Sequence, residues 1–373
     1  MDGGHGTKRP RPIPMRCGWL AAAAVLLAAG AAGADPLVLR SEGLLRRVVF
    51  VPDDPYYAAG HQWYASTLNL PQAWGYSLGS TDVIVAILDT GVMADTPDLA
   101  GRLLDPLTAT GEILDGTANH HGTWVASSVG MGVDNGIGGA GVGNVAILPI
   151  TVANANGANA SDDIADGICM AADAGARVIN VSHATLKYGL LDAAADYARG
   201  LGALTFVAAG NDNERNTAIA DYEHLIFVSG TDAADQRWVK DAWTGSNWGP
   251  YVDLAAPAWH ILVADPHDPV GLPSGYGLAD GTSYAAPLAA GAAALAWSIA
   301  PNLTAEEVWD LLCTTAVDLG DPGWDEVYGH GRIDIGAVAA GAAPEPATVA
   351  LLSAGLAGVL VRRRRRRLRP VAA

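Results

Sequence analysis

The amino-acid sequence predicts an α/β fold of three layers, a mostly parallel sheet with helices on both faces. Three observations carry this expectation. Six short runs, residues 83–88, 145–151, 178–182, 204–209, 225–230 and 252–256, are rich in aliphatic and β-branched residues with few polar breaks. Strands apolar on both sides belong to sheets covered on both faces. Helix-patterned stretches at 122–130, 161–174 and 190–202 lie between several of these runs, and strands that alternate with helices pair in parallel. Residues 283–298 are dominated by Ala and Leu on every side, the signature of a buried helix.

In chain order, residues 1–34 read as an export signal. Lys8, Arg9, Arg11 and Arg16 precede an apolar run from Trp19 to Ala29, and Ala32-Gly33-Ala34 supplies the small residues that a signal peptidase cuts after. The run is too short to span a membrane, which takes about 20 residues. Residues 35–50 form a short lead segment, with no room for a folded inhibitory prodomain. The catalytic region is expected over 51–342. Ser161-Asp162-Asp163 predicts an N-cap and acidic first turn for the 161–174 helix, and Gly136 to Gly143 a glycine-rich loop. Pro287 falls in the early turns of the 283–298 helix. Thr304-Ala305-Glu306-Glu307 predicts a capped helix over 304–314. Residues 343–373 form a tail: Pro344-Glu345-Pro346, an apolar stretch from Ala347 to Val361, and six arginines, Arg362 to Arg367.

The chain of 373 residues carries 22 basic and 39 acidic residues, a net charge of −17. Half of the basic residues sit in the two tails, so the region between them is more acidic still. This charge argues against nucleic acid as a partner, which needs basic patches, and favours cations and solubility. The expected assembly is a monomer. Cys17 leaves with the export signal. Cys169 and Cys313 fall in helical stretches without metal-ligand spacing and read as two buried thiols rather than a bridge.

In open parallel sheets chemistry collects at the carboxyl ends of the strands. Asp89 closes the first strand, before Thr90-Gly91. His121 opens a helix in His121-Gly122-Thr123-Trp124-Val125-Ala126, and Ser283 opens another in Gly281-Thr282-Ser283-Tyr284-Ala285-Ala286-Pro287. A serine hydroxyl needs a base to take its proton, and that base needs a carboxylate to fix its tautomer and stabilise its cation. Asp89, His121 and Ser283 supply these roles in the chain order Asp…His…Ser. Taken singly, each has an ordinary reading as a turn or cap residue; the combination points to nucleophilic catalysis.

These motifs, Asp-Thr-Gly, His-Gly-Thr-x-Val-Ala and Gly-Thr-Ser-x-Ala-x-Pro, together with the spacing of Asp89 and His121, resemble those of subtilisin-like serine proteases, especially the thermitase branch. The resemblance covers about residues 52–339. It implies a subtilisin-like fold, peptide-bond hydrolysis through an acyl-enzyme and protein or peptide substrates. Ala208-Ala209-Gly210-Asn211 matches the segment that supplies the family's oxyanion asparagine, which implies that role for Asn211. Substrate backbone would lie along Ser182, His183 and Ala184 and along Ala209 and Gly210. The resemblance also implies a structural Ca²⁺ site of Asp54, Asp98 and Asn135 with the carbonyls of Val133, Ile137 and Gly139, an oxygen-only set that suits a hard cation.

Four departures fall near the substrate pocket. Trp124 stands where the family has His, and Ser182-His183-Ala184 where it has Ser-Leu-Gly. Ala258 follows Pro257 where Gly is usual, and the Tyr-Pro-Ala before Leu225 is missing. His183 is expected to narrow or polarise the pocket, or to face solvent. The C-terminal tail resembles the PEP-CTERM sorting signal of envelope-bearing bacteria, which implies export to the envelope, transient inner-membrane anchoring and a sorting peptidase as partner. Two rival functions remain at this stage: a narrow protease that matures a few envelope proteins, and a non-catalytic surface protein on the same fold.

Overall fold

The computed structural model describes residues 49–183, 187–266, 271–272 and 275–344. The expected export signal, most of the lead segment, Ala184 and the tail beyond Pro344 lie outside these residues.

Three short helices open the described chain, α1 (Pro55–Ala58), α2 (Tyr64–Thr67) and α3 (Leu70–Trp74). Then come β1 (Ile84–Asp89), β2 (Leu107–Thr108), α4 (His121–Gly130), β3 (Ala146–Thr151), α5 (Ser161–Asp173), β4 (Val178–Val181), α6 (Tyr188–Gly200), β5 (Leu204–Ala208), β6 (Leu225–Thr231) and β7 (Val252–Pro257). The seven strands form one sheet in the order β2-β3-β1-β4-β5-β6-β7, parallel at every pairing. A second, antiparallel sheet is built from β8 (Ile261–Ala264), β9 (Gly271–Leu272) and β10 (Tyr276–Ala279). Helices α7 (Thr282–Ile299), α8 (Ala305–Thr315) and α9 (Ile335–Ala342) close the described fold.

The period of two along each strand sorts side chains between the faces. Val85 and Ile87 of β1, Phe206 of β5 and Val228 of β6 enter one core with α4 and α7. Ala86 and Leu88 of β1, Val207 of β5 and Phe227 of β6 enter the other with α5 and α6. Both faces are therefore buried, which is why these strands read as continuous apolar runs. Helix α7 is buried from Thr282 to Trp297, as its all-round apolar sequence requires.

The local signals resolve as follows. Thr304 Oγ1 accepts Glu307 N at 3.1 Å and Glu307 Oε2 accepts Thr304 N at 2.9 Å, the expected capping box. Ser161 is not an N-cap; the extended residue before α5 is Ala160, and Ser161 begins the helix. The acidic first turn, Asp162 and Asp163, remains to complement the helix dipole. Cys169 and Cys313 form no disulfide and are half-buried rather than buried.

The topology places a crevice. From β1 the chain moves to β3 on one side, then crosses over β1 to β4 on the other. The carboxyl end of β1, where Asp89 sits, is thus the point at which strand connections diverge, and such points open a crevice outside the sheet.

Candidate active site

Asp89 ends β1 fully buried, a position that demands partners for its charge. His121, the first residue of α4, supplies one: its Nδ1 lies 2.9 Å from Asp89 Oδ1 and 3.0 Å from Oδ2. Thr90 donates to Oδ1 through its backbone N at 2.8 Å and its hydroxyl at 3.2 Å. The approach of α4 to β1 depends on Gly122, where a Cβ would fall 2.1 Å from the Gly91 carbonyl oxygen. Any other residue there would push His121 away from Asp89.

His183 follows β4, the strand beside β1. Its side chain is 11 % exposed, and its Nε2 stands 3.2 Å from Asp89 Oδ1. The separation is that of an ion pair, but Nε2 lies off the hydrogen-bond line and makes no hydrogen bond. Of the alternatives for His183, the solvent-facing one is excluded: its imidazole is turned onto Asp89, with its ring centroid 5.3 Å from that of His121. Burial alone would push the Asp89 carboxyl up; His121 and His183 together outweigh it and hold the group well below the usual carboxylate range. Burial pulls the His183 imidazole down, and the Asp89 charge and contact reverse that, so its pKa is raised.

Ser283 is the second residue of α7. Its Oγ donates to the Ser182 carbonyl at 3.3 Å, and the Ser182 hydroxyl donates to the Ser283 carbonyl at 2.8 Å. Among the described residues Ser283 makes no hydrogen bond to His121. Asn211 follows β5 on the Ala209-Gly210 turn. Its Oδ1 accepts both the backbone N and the hydroxyl of Thr282 at 2.9 Å. Since an N–H can only donate, the amide oxygen is fixed toward Thr282 and the NH₂ is left to present outward. Gly210 N donates to the Thr282 hydroxyl at 3.1 Å, and Ala209 O accepts Tyr251 OH at 2.8 Å. Asp89, His121, Ser182, His183, Ala209, Gly210 and Asn211 all stand at or just beyond the carboxyl ends of neighbouring strands, or on helices entering there.

Two departures from the family pattern have local explanations. Trp124 donates its indole N–H to the buried Asp265 at 2.9 Å, and His120 Nδ1 lies 3.0 Å from the same carboxylate. Ala258 is fully buried against Gly230, where a Cβ would fall 2.5 Å from the alanine methyl. A methyl gained at one position is matched by one missing at the other. Sequence reasoning missed Thr90, Thr282, Asp265 and the inward turn of His183. The first two stand within the Asp-Thr-Gly and Gly-Thr-Ser motifs, where a signal was available.

The candidate calcium residues also converge. Asp54 and Asp98 are fully buried. Asp54 Oδ2 accepts Asp134 N at 2.9 Å and its Oδ1 accepts Asn135 N at 3.0 Å. Asp98 Oδ1 accepts Gly132 N and Asn135 Nδ2; its Oδ2 accepts Gly139 N and Tyr276 OH. The Asn135 Oδ1 accepts Ile137 N, and Val133 O accepts Asn144 Nδ2. Burial pushes Asp98 up to about 6 and also raises Asp54, despite these donors. All four oxygens of these two buried carboxylates thus accept N–H or O–H donors; carboxylate oxygens are the ligand type a hard cation takes, and one would have to displace some of these donors.

A profile of the subtilase family matches residues 80–331, and one of the PEP-CTERM protein-sorting motif matches residues 342–366. The chain is 34% identical over 295 residues to a halolysin-like extracellular serine protease of Natrialba magadii, covering 76% of this chain and 52% of that protein. It is 34% identical over 250 residues to thermitase of Thermoactinomyces vulgaris, covering 66% and 85%. A solved protease of Pseudoalteromonas arctica superposes with a TM-score of 0.65 at 27% identity, covering 78% of this chain and 99% of that one. The chain spans about half to under two thirds of the length of the first three curated relatives it matches. The match over residues 80–331 takes in every element from β1 to α8 and each of Asp89, His121, Asn211 and Ser283, and on it the chain belongs to the subtilase family.

Proposed function

We propose that the protein is an exported serine endopeptidase that hydrolyses peptide bonds of protein substrates through an acyl-enzyme. The observation that carries this reading is the His121–Asp89 contact of 2.9 Å at the crevice that Ser283 and Asn211 also enter. With its Nδ1 proton held by Asp89, His121 presents a basic Nε2. It takes the proton from Ser283 Oγ as that oxygen attacks the substrate carbonyl, then gives it to the leaving amine. Asp89 stays ionised and stabilises the imidazolium. The NH₂ of Asn211 and the backbone N–H of Ser283 receive the negative charge that develops on the carbonyl oxygen. Substrate backbone runs along Ser182, His183 and Ala184 on one side and Ala209 and Gly210 on the other.

Asp54, Asp98 and Asn135, with the carbonyls of Val133, Ile137 and Gly139, would hold a Ca²⁺ ion. Bound there, such an ion would neutralise the two buried carboxylates and would tie the 132–139 loop to the segment around Asp54, apart from the reacting groups. The signal at 1–34 and the sorting motif direct the protein to the cell envelope or beyond, with the 343–373 tail as its address.

The test is Ser283→Ala. The variant should lose casein hydrolysis and labelling by an organophosphonate serine probe. Wild-type labelling in the variant would remove Ser283 from the mechanism. With the wild-type protein, broad casein cleavage supports a general endopeptidase, and cleavage of only a few native envelope proteins a narrow one.

A further inference from the structure

Two imidazoles converge on one buried carboxylate at the heart of this site, and catalysis as derived above uses only one of them. His121 Nδ1 lies 2.9 Å and His183 Nε2 3.2 Å from Asp89 Oδ1. One ligand atom from each of Asp89, His121 and His183 falls within 4.8 Å of the other two. Around a tetrahedral zinc ion with ligands at about 2.0–2.1 Å, neighbouring ligand atoms stand about 3.3 Å apart. The two N–O separations are close to that edge. His183 Nε2 is buried, and its one polar neighbour is Asp89 Oδ1 at 3.2 Å, outside ideal hydrogen-bond geometry, so a metal between the two atoms would engage both. The His121 side chain is 25% exposed while the Asp89 side chain is fully buried, so an ion would enter past the His121 ring.

We propose that Asp89, His121 and His183 form a reversible site for a borderline divalent transition ion, such as Zn²⁺, and that occupancy switches the protease off. Nitrogen donors distinguish this site from the oxygen-only set at Asp54 and Asp98: imidazole selects zinc or copper over calcium. The switching part rests on the catalytic reading above. An ion on Nδ1 of His121 takes the place of the proton that Asp89 held there. In a neutral imidazole that proton moves to Nε2, so no net proton is lost. Nε2 is then a donor and cannot accept the Ser283 proton. The ion also occupies the carboxylate that would stabilise the imidazolium. In a serine protease of known behaviour, forcing the wrong histidine tautomer costs about 10⁴ in kcat. Residual activity should therefore track the metal-free fraction of the enzyme.

Binding is measured without proteolysis in the Ser283→Ala variant, whose three ligands are intact. With excess calcium present, zinc is titrated against a chromophoric chelator. Ser283→Ala should bind one zinc ion more than Ser283→Ala/His183→Leu, and its Co²⁺ form should show visible bands of a tetrahedral site that the double variant lacks. His183→Gln, polar but without imidazole, repeats the comparison, and thermal unfolding confirms that each variant is folded. Equal zinc stoichiometry in folded variants overturns the site. In the wild type, zinc should abolish casein hydrolysis and a chelator restore it; zinc bound with hydrolysis unchanged overturns the switch. If Ser283→Ala retained hydrolysis, the catalytic reading would fail while the binding comparison kept its meaning.

Discussion

Ser182 and Ser283 exchange hydrogen bonds across the crevice: the Ser182 hydroxyl donates to the Ser283 carbonyl at 2.8 Å, and the Ser283 hydroxyl to the Ser182 carbonyl at 3.3 Å. The cause of the first bond lies four residues along α7. An interior carbonyl accepts from the N–H four residues on, and here that residue is Pro287, which has none. The proline frees the Ser283 carbonyl, and the segment after β4 caps it. Asn180 Nδ2 holds the Ser182 hydroxyl in place at 2.9 Å.

Ser182→Ala should therefore cost stability. It leaves a buried carbonyl without its donor, an effect of about 1–3 kcal/mol. Urea unfolding of Ser182→Ala against wild type, both in a Ser283→Ala background to prevent autolysis, measures it. Coincident midpoints would show that the bond from the Ser182 hydroxyl to the Ser283 carbonyl holds nothing together.

Asn211→Ala should lower kcat by about 10²–10³ with KM little changed, a magnitude known for the equivalent donor of subtilisin and borrowed from it. The amide oxygen is tied to Thr282, so the NH₂ is oriented before substrate arrives, and it meets charge that exists only in the transition state. Steady-state kinetics on a peptide anilide reads both constants. An unchanged kcat would take Asn211 out of the mechanism.

The sheet was legible because its strands are buried on both faces, as the split of Val85 and Ala86 between two cores shows. The carboxyl-end rule pointed to Asp89, the motifs to His121 and Ser283, and the resemblance of Ala208-Ala209-Gly210-Asn211 to Asn211; the structure brings His121 onto Asp89. The antiparallel β8–β10 sheet was not legible: its strands run two to four residues, too short for a period to emerge. Nor was the contact of His183 with Asp89. It follows from β4 lying beside β1, an adjacency that chain order hides because β3 intervenes. Trp124 and Asp265 are 141 positions apart, and no local pattern joins them. Ser161 misled because a serine before two aspartates suits either an N-cap or a first helical turn.

Calcium should raise the melting temperature, since an ion bound only by the native state stabilises it by mass action. The response should depend on pH. Asp98 has a folded pKa of about 6, above its ordinary 3.8. In chelator, its ionisation thus costs native stability progressively as pH rises from about 4 to about 6. Calcium needs the ionised carboxylate and offsets that cost, so its effect should be small at pH 5 and larger at pH 7.5. Asp98→Asn should weaken the response at the higher pH. Differential scanning fluorimetry of the Ser283→Ala protein in chelator and in millimolar calcium decides it; superimposable melts at pH 7.5 would discard the site.

The mature protein should end near Pro344 to Pro346, without the arginine block. Residues 342–366 match the PEP-CTERM protein-sorting motif. The apolar stretch from Ala347 to Val361 would cover about 22 Å as a helix at about 1.5 Å per residue. A hydrocarbon core is about 30 Å thick, so the stretch is short for a permanent anchor. Arg362 to Arg367 follow it directly, and clustered arginines hold their end of a membrane segment at the cytoplasmic surface. The export signal proposed for residues 1–34 would send the catalytic region to the opposite side. On that proposal Pro344-Glu345-Pro346 would stand at the outer boundary of the inner membrane, within reach of a sorting peptidase. Cutting there would leave every described element on the released part, because α9, the last of them, ends at Ala342. Intact-mass measurement on protein from the native host reads the result. A mass that includes residues 347–373 would make the tail an anchor and the protease a membrane-bound one.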